Sequence, residues 1–222
     1  MHGSERGFTL IEIAIVLVII GLLLGGVLKG QELMTGARVR SVIQQHDNLK
    51  TAYFGFMDRY RSPPGDYPAA TVNITGMSTV CATAGNGNGD ARIDGANGEA
   101  ILAWEHLSKS GFVSGTYSCS GNTVVDPTTV PRNAYGQFLQ LVYDDNYAGT
   151  TTLRHNLKTG SNVPSNILQE IDRKIDDANA LRGSFRGSTY SAGAATDPAC
   201  WDTNGVWSGQ AVVANCGGAV LF

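Results

Sequence analysis

The sequence predicts an α+β protein. A long N-terminal α-helix, membrane-spanning in its first half and amphipathic in its second, packs on a small antiparallel β-sheet head with long loops and disulfides. An apolar run near the N-terminus, continued by a pattern of helical period, predicts the helix. The rest of the chain is rich in Gly, Asn, Ser and Thr, which is typical of short strands joined by long turns. Four widely spaced cysteines indicate disulfides rather than a zinc site.

The composition is that of one ordinary folded domain with an appendage. The chain has 222 residues, of which 42% are hydrophobic and 16% are charged, so it is long enough to bury a core and is not typical of a disordered protein. The formal net charge of -3 offers no general attraction to a phosphate backbone. A nucleic-acid partner is therefore not evident.

The apolar run covers residues 8–28 and is interrupted only by Thr9 and Glu12. At about 1.5 Å per residue, a helix of this length crosses a hydrocarbon core of about 30 Å. A secretory signal peptide would end in a small-residue cleavage site, whereas here Lys29 and the residues after it continue the helical pattern. The run is therefore predicted to stay as a transmembrane helix, and the cysteines orient the C-terminal part outwards.

Glu12 is the unusual residue of this segment. A carboxylate inside an apolar span costs about 2.5–3.5 kcal/mol unless it has a partner. A cut before Phe8 would create an α-amino group about one helical turn from Glu12, on the same chain or on a neighbouring one. The alternative is a glutamate near the end of the span that reaches the headgroups or is protonated.

The residues Gly7-Phe8-Thr9-Leu10-Ile11-Glu12, followed by the apolar helix, closely resemble the class III signal of type IV prepilins and type II secretion pseudopilins. The resemblance implies that a prepilin peptidase and methyltransferase cuts between Gly7 and Phe8 and N-methylates Phe8. It also implies that Glu12 sets the register of subunits during assembly.

The resemblance further implies a place and a set of partners. The precursor would be a single-pass protein of the inner membrane, surrounded by lipid until an inner-membrane platform assembles it with homologous pilin subunits. The product would be an extracytoplasmic filament, on the cell surface or in the periplasm. Three alternatives stay open: a main subunit of a type IV pilus, a minor pilin or type II secretion pseudopilin, and a single-pass anchored binding protein or adhesin.

The chain is predicted to divide into four parts. They are a prepilin leader (1–7), a transmembrane and assembly helix (8–30), an amphipathic continuation of that helix (31–61) and a loop-rich globular head (62–222). The continuation carries apolar residues at spacings of three and four, and Pro63 and Pro64 end it.

Regular structure in the head is predicted from shorter patterns. The stretch 99–111 predicts a helix followed by a capping glycine, and 163–177 predicts a second helix; both also resemble, less specifically, the heads of pilin-like proteins. Strands are predicted at 137–143 and 150–154, and the tail at 207–222 is predicted to add edge strands within the loop between Cys200 and Cys216.

The four cysteines allow three pairings. We favour Cys81–Cys119 and Cys200–Cys216, because each joins neighbours in sequence and the second restrains the C-terminal tail.

A glycine-rich stretch at 85–99 alternates with oxygen-bearing side chains. Asn86, Asn88, Asp90 and Asp94 partly resemble the ligands of an EF-hand calcium loop. They are the candidate ligands of a calcium ion, although no cofactor is required by the rest of the sequence.

The match to that loop is imperfect. Counted from Asn86, the sixth position is Ala91 instead of glycine, and the twelfth is Asn97, with Glu99 two residues late. A turn without metal is the alternative that these departures favour.

Patterns of catalytic residues are missing. The chain has no G-x-S-x-G, H-E-x-x-H or G-x-x-x-x-G-K-[ST] sequence, and its four histidines form no cluster in sequence. The sequence therefore does not predict an enzyme.

Overall fold

The computed structural model describes residues 9–150, 152–191 and 194–222. The predicted leader and the predicted cleavage and methylation site, Gly7 and Phe8, lie outside these residues. The chain forms two compact units, Met1–Arg38 and Val39–Phe222. One helix, α1, runs from Leu10 to Tyr60 and belongs in part to each.

In the first unit, α1 has no buried residue among those described. Its large apolar side chains are exposed from Leu10, which is 92% exposed, to Met34, which is 57% exposed. The predicted long apolar helix is confirmed, and burial of α1 begins only in the second unit.

In the second unit, α1 is amphipathic as predicted. Its buried residues recur every three or four positions, which places them on one helical face: Val39, Val42, His46, Leu49, Ala52, Tyr53 and Phe56. The helix ends at Tyr60, and Arg61 adopts a positive φ of 57° immediately before the Ser-Pro-Pro turn.

Among the described residues, the head has three further α-helices and six strands, in agreement with the α+β prediction. A four-stranded antiparallel sheet has the order β1-β2-β6-β3, and β4 and β5 form a separate antiparallel pair. The elements in chain order are α2 (Ala70–Asn73), α3 (Glu99–Lys109), β1 (Gln140–Asp144), β2 (Arg154–Lys158), α4 (Ser165–Ile175), β3 (Phe185–Gly187), β4 (Tyr190–Ser191), β5 (Ala194–Ala195) and β6 (Gly218–Leu221).

The predicted helices α3 and α4 are present. Gly111, with φ of 81°, follows α3 in the left-handed conformation, and its N–H bonds to the Ser108 carbonyl. The next N–H, of Phe112, bonds to the Leu107 carbonyl and completes the Schellman pattern.

Two strand predictions are wrong in position. The strand predicted at 150–154 lies at Arg154–Lys158, because the Thr152 N–H donates to Tyr147 Oη at 3.0 Å and its carbonyl accepts from the same hydroxyl. The backbone of Thr152 is thus used by a side chain instead of a neighbouring strand. The tail strand β6 lies after Cys216 and between β2 and β3, so it is not an edge strand.

The core of the head has two main clusters, and each contains one disulfide. Cys81–Cys119 lies in the cluster around Phe56 and Trp104. Cys200–Cys216 lies in the cluster that joins Val39 and Val42 of α1 to α4, β3 and Trp207. The structure has the pairing that the sequence analysis favours.

Candidate functional site

At the N-terminal end of the residues that the structure describes, Thr9 and Glu12 are in polar contact. Glu12 Oε2 accepts from the Thr9 backbone N–H at 2.8 Å and from the Thr9 hydroxyl at 2.7 Å. In return, the Glu12 N–H donates to Thr9 Oγ1 at 3.3 Å. This is the reciprocal arrangement of a capping box, which satisfies N–H groups at the start of a helix.

The sequence analysis missed this cap. Thr9-Leu10-Ile11-Glu12 has the S/T-x-x-E spacing that signals it, although Glu12 was interpreted only through a cationic partner, the headgroups or protonation. The cap gives Glu12 two hydrogen bonds, and no ion pair to Glu12 is found among the described residues. The cation partner that cleavage before Phe8 would create stays a prediction.

The segment that follows Glu12 is apolar all round. α1 contains an 18-residue stretch with a mean hydropathy of 2.8 and no buried residue. The helix is long and apolar enough to cross a membrane. A helix that is apolar on every face needs lipid or other protein around it.

The loop that carries the predicted calcium ligands is arranged around Asp66. This carboxylate is buried and accepts three backbone N–H bonds, from Gly89, Asp90 and Ala91, at 2.6–3.1 Å. Gly87 passes so close to Asp66 that a Cβ there would meet its backbone at 2.1 Å. Burial raises the pKa of the Asp66 carboxyl, although these three hydrogen bonds oppose the shift.

A second buried carboxylate, Glu99 at the start of α3, holds the rest of this loop. Its two oxygens accept from the N–H groups of Asn88 and Asp94, at 2.9 and 3.0 Å. Burial raises the pKa of the Glu99 carboxyl. The backbone of the loop thus surrounds two acidic side chains, neither of which is among the predicted ligands.

Three of the four predicted calcium ligands bond to nearby N–H groups. Asn86 Oδ1 accepts from Thr71, Asn88 Oδ1 from Asp90, and Asp90 Oδ1 from Arg92, all at 2.9 Å. These side-chain oxygens thus have a structural role in the loop that needs no metal. Calcium binding by this loop stays a prediction.

Asp90 also approaches the two buried carboxylates. Oxygen atoms of Asp66, Asp90 and Glu99 lie within 4.8 Å of one another. The fourth predicted ligand, Asp94, is not part of that group.

Another acidic cluster, which the sequence analysis did not single out as a site, lies at the C-terminal end of α4. Carboxylate oxygens of Asp172, Asp176 and Asp177 lie within 4.8 Å of one another. Asp172 is fully buried, and Trp207 Nε1 donates to its Oδ2 at 2.6 Å. Burial, with the hydrogen-bonding contact to Asp176, raises the pKa of Asp172 to about 8.

The three histidines among the described residues, His46, His106 and His155, lie in the head. His106 stacks on Phe56 with ring centroids 5.8 Å apart, and its Nδ1 accepts from the Gly65 N–H at 2.9 Å. His46 is 3% exposed. Burial lowers the pKa of each, and also that of His155, to about 4. All three are therefore neutral near pH 7, and His46 and His106 are fully buried.

The comparison with known families identifies a signal sequence at the N-terminus. Residues 3–28 match the family model of the prokaryotic N-terminal methylation motif, which is the class III signal of type IV pilin-like proteins. This chain therefore carries the signal of a type IV pilin-like precursor, and the motif implies processing by a prepilin peptidase and assembly with other pilin subunits. No curated protein and no solved structure matches the chain.

Proposed function

We propose that this protein is a structural subunit of a type IV pilus or pilus-like filament. It is assembled from the inner membrane after cleavage between Gly7 and Phe8 and N-methylation of Phe8. The role is mechanical and not catalytic. The observation that carries the proposal is an exposed apolar helix that has one acid, Glu12, near its start.

The apolar surface supports two successive environments for the helix. Side chains from Leu10 to Leu28 are exposed on all sides of α1, which is incompatible with a water-exposed final state. Lipid covers this surface in the precursor, and the helices of neighbouring subunits cover it in the filament. The head remains on the extracytoplasmic side, where its two disulfides form.

Glu12 sets the axial position of one apolar helix against its neighbour. In an apolar environment, a carboxylate is stabilised most by a cation beside it, and the new amine of Phe8 on an adjacent subunit is such a cation. An apolar helix can slide along its neighbour at little cost, whereas a buried charge pair allows one position. This selection of one register is the role proposed for Glu12.

The test is the substitution Glu12→Val, with Glu32→Val as the matched control. Glu32 lies on the same helix but is solvent-exposed and pairs with Lys29 at 2.7 Å. For Glu12→Val we expect normal membrane insertion and at least about a tenfold loss of protein from sheared filaments, consistent with the cost of an unpaired charge. Glu32→Val should assemble as the wild type does. Equal filament yields for Glu12→Val and the wild type would refute the proposal and favour an anchored binding protein.

Mass spectrometry of the same fractions distinguishes the kinds of filament subunit. Abundant chain beginning at methylated Phe8 in the sheared fraction indicates a main pilus subunit. Processed chain confined to membranes indicates a minor pilin or a type II secretion pseudopilin. A chain that keeps residues 1–7 in every fraction would contradict the prepilin assignment.

Calcium binding at Asn86, Asn88, Asp90 and Asp94 is retained as a separate hypothesis. The proposed filament role does not require it. Calorimetric titration of the processed chain in detergent micelles with calcium chloride tests it: saturable binding that Asp90→Asn weakens would support a site in this loop, and no binding up to about 10 mM calcium would refute it.

A further inference from the structure

The head contains an apolar pocket of about 180 Å³ between α3 and the start of β1. Asn122 and Thr123, which also line it, are exposed, so the pocket opens to solvent on that side. A cavity of about this size holds a benzene-sized group, and it therefore suits one large aliphatic side chain. The apolar lining residues are Ala100, Ile101, Trp104, Val125, Val130 and Leu139.

An aliphatic side chain of suitable size lies at the other end of the same strand pair. Leu153 comes directly before β2 and is 58% exposed. Gln140, which lines the pocket, pairs with Lys158, whereas Asp144 pairs with Arg154. The β1–β2 ladder therefore separates the pocket from Leu153 by about 13 Å, as four steps of about 3.3 Å. Because of this separation, Leu153 does not fill the pocket of its own chain.

The charges beside the two surfaces are of opposite sign. Asp94 and Asp126 each adjoin a residue of the pocket lining in the chain, and neither has an ion pair within residues 9–150, 152–191 and 194–222. At the other surface, Arg154 follows Leu153 and is exposed. Its guanidinium likewise has no ion pair in the described part of the chain.

Lys158 offsets the acids at the Leu153 end of the ladder. Its Nζ pairs with Asp144 Oδ2 at 2.6 Å, and Asp145 also attracts its positive charge. The positive charge of Arg154 thus remains available for a contact with another molecule.

We propose that Leu153 of one subunit inserts into this pocket on the next subunit, with Arg154 facing Asp94 and Asp126. The inference rests on the filament role proposed above and names one contact between heads within it. A contact between two different surfaces of identical copies is heterologous, and where it does not close into a ring it builds an open helical array. Burial of Leu153 supplies affinity, and the opposite charges orient the contact.

Val72 provides a comparison on the same head. It is 84% exposed, which is more than Leu153, but its neighbours Thr71 and Asn73 carry no charge. Its side chain is also smaller than that of leucine. Exposure alone therefore does not select the contact residue, whereas size and the adjoining charge favour Leu153.

The yield of the full processed chain in sheared filaments tests this contact. Leu153→Asp would place a carboxylate in an apolar pocket, and Thr123→Trp would block the opening of the pocket. We expect each variant to lower the filament yield about tenfold or more, with membrane insertion and the protease resistance of the head unchanged. Both positions are exposed, so both variants are expected to fold. Val72→Asp is the matched control and should assemble as the wild type does.

Charge reversal provides a second measurement. Arg154→Glu should lower the filament yield, because it places an acid opposite Asp94 and Asp126 of the next subunit. Adding Asp94→Arg to the same chain should restore much of the yield, since each subunit supplies both sides of the contact. A purely local role of Arg154 in its own head would not be rescued in this way.

The outcomes separate this contact from the filament role itself. A wild-type yield for Leu153→Asp, an equal loss for Val72→Asp, or no rescue of Arg154→Glu by Asp94→Arg would overturn the contact. Filaments that depend on Glu12 but not on Leu153 would refute the contact alone and leave the filament role intact. A wild-type chain that forms no filaments would refute both.

Discussion

At the scale of single residues, His46 is the least satisfied side chain of the α1 face that enters the core. It is 3% exposed, and neither Nδ1 nor Nε2 has a hydrogen-bond partner among the described residues. Burial lowers its pKa from 6.5 to about 4. The folded head therefore excludes a proton that the unfolded chain binds.

This difference predicts a loss of stability in acid. Above about pH 6.5 both states are neutral at His46, and the folded state keeps its full stability. As the pH falls from about 6.5 to about 4, protons bind the unfolded chain preferentially, and the His46 contribution falls by about 3 kcal/mol in total. We expect His46→Leu to reduce the slope of the free energy of unfolding against pH in this window, and to leave stability at pH 7 equal or higher.

Chemical unfolding of the processed chain in micelles, followed by near-ultraviolet circular dichroism, measures that slope. Asn48→Leu, at an exposed and non-titrating position of the same helix, is the control and should keep the wild-type slope. His106 and His155 maintain part of the pH dependence in every variant. Identical slopes for His46→Leu and the wild type would show that His46 accepts a proton in the folded state.

At the scale of elements, the 85–99 loop is ordered by side chains that come from outside its middle. Asp66 satisfies three of its N–H groups, and Glu99 satisfies two more. The loop does not need regular secondary structure to satisfy these N–H groups, because the two carboxylates accept them. The many glycines of the loop then serve close packing, as at Gly87.

Removal of the Asp66 carboxylate should therefore unfold the loop locally and destabilise the head. Asp66→Ala leaves three N–H groups without their acceptor, which corresponds to a loss of about 3 kcal/mol or more. We expect faster limited proteolysis within residues 85–99 and a lower unfolding temperature. Asp94→Asn is the control, because its backbone N–H bonds to Glu99 but its carboxylate accepts no hydrogen bond within the described part of the chain, and it should behave as the wild type. Equal proteolysis of Asp66→Ala and the wild type would contradict this account.

The elements also show which features a single sequence can predict. α1, α3 and α4 carry their own period and end signals, such as Gly111 and the residues around Pro63, so they could be predicted locally. The place of β6 between β2 and β3 depends on pairing partners far along the chain and has no local signal.

The same distinction applies to the candidate sites. Glu12 can be singled out from the sequence because an acid in an apolar run is conspicuous, and its role in assembly stays a prediction. The cluster of Asp172, Asp176 and Asp177 at the end of α4 could not be singled out in this way, because it depends on the burial of Asp172 against Trp207, which is distant in sequence.

At the scale of the whole molecule, α1 has an exposed apolar part and a separate part that is buried in the core. Large apolar residues are exposed as far as Met34, and the first buried residue of the helix is Val39. The exposed apolar surface, to which we assign the proposed lipid and filament contacts, is thus separate in sequence from the surface that completes the core. Both core clusters lie wholly within residues 39–222.

This separation predicts that residues 36–222 fold without the apolar segment. The fragment keeps every buried residue of α1, both disulfides and the complete sheet. Exported to an oxidising compartment, it should be soluble and should unfold cooperatively within about 4 °C of the full processed chain, because the lost residues bury nothing in the head. A fragment of residues 48–222 is the control. It lacks Val39 and Val42, which are 0% and 1% exposed, and should lose about 3 kcal/mol or more with the second core cluster opened. If the longer fragment unfolded as readily as the shorter one, the apolar segment would have to contribute to the stability of the head, and the two surfaces of α1 would not be independent.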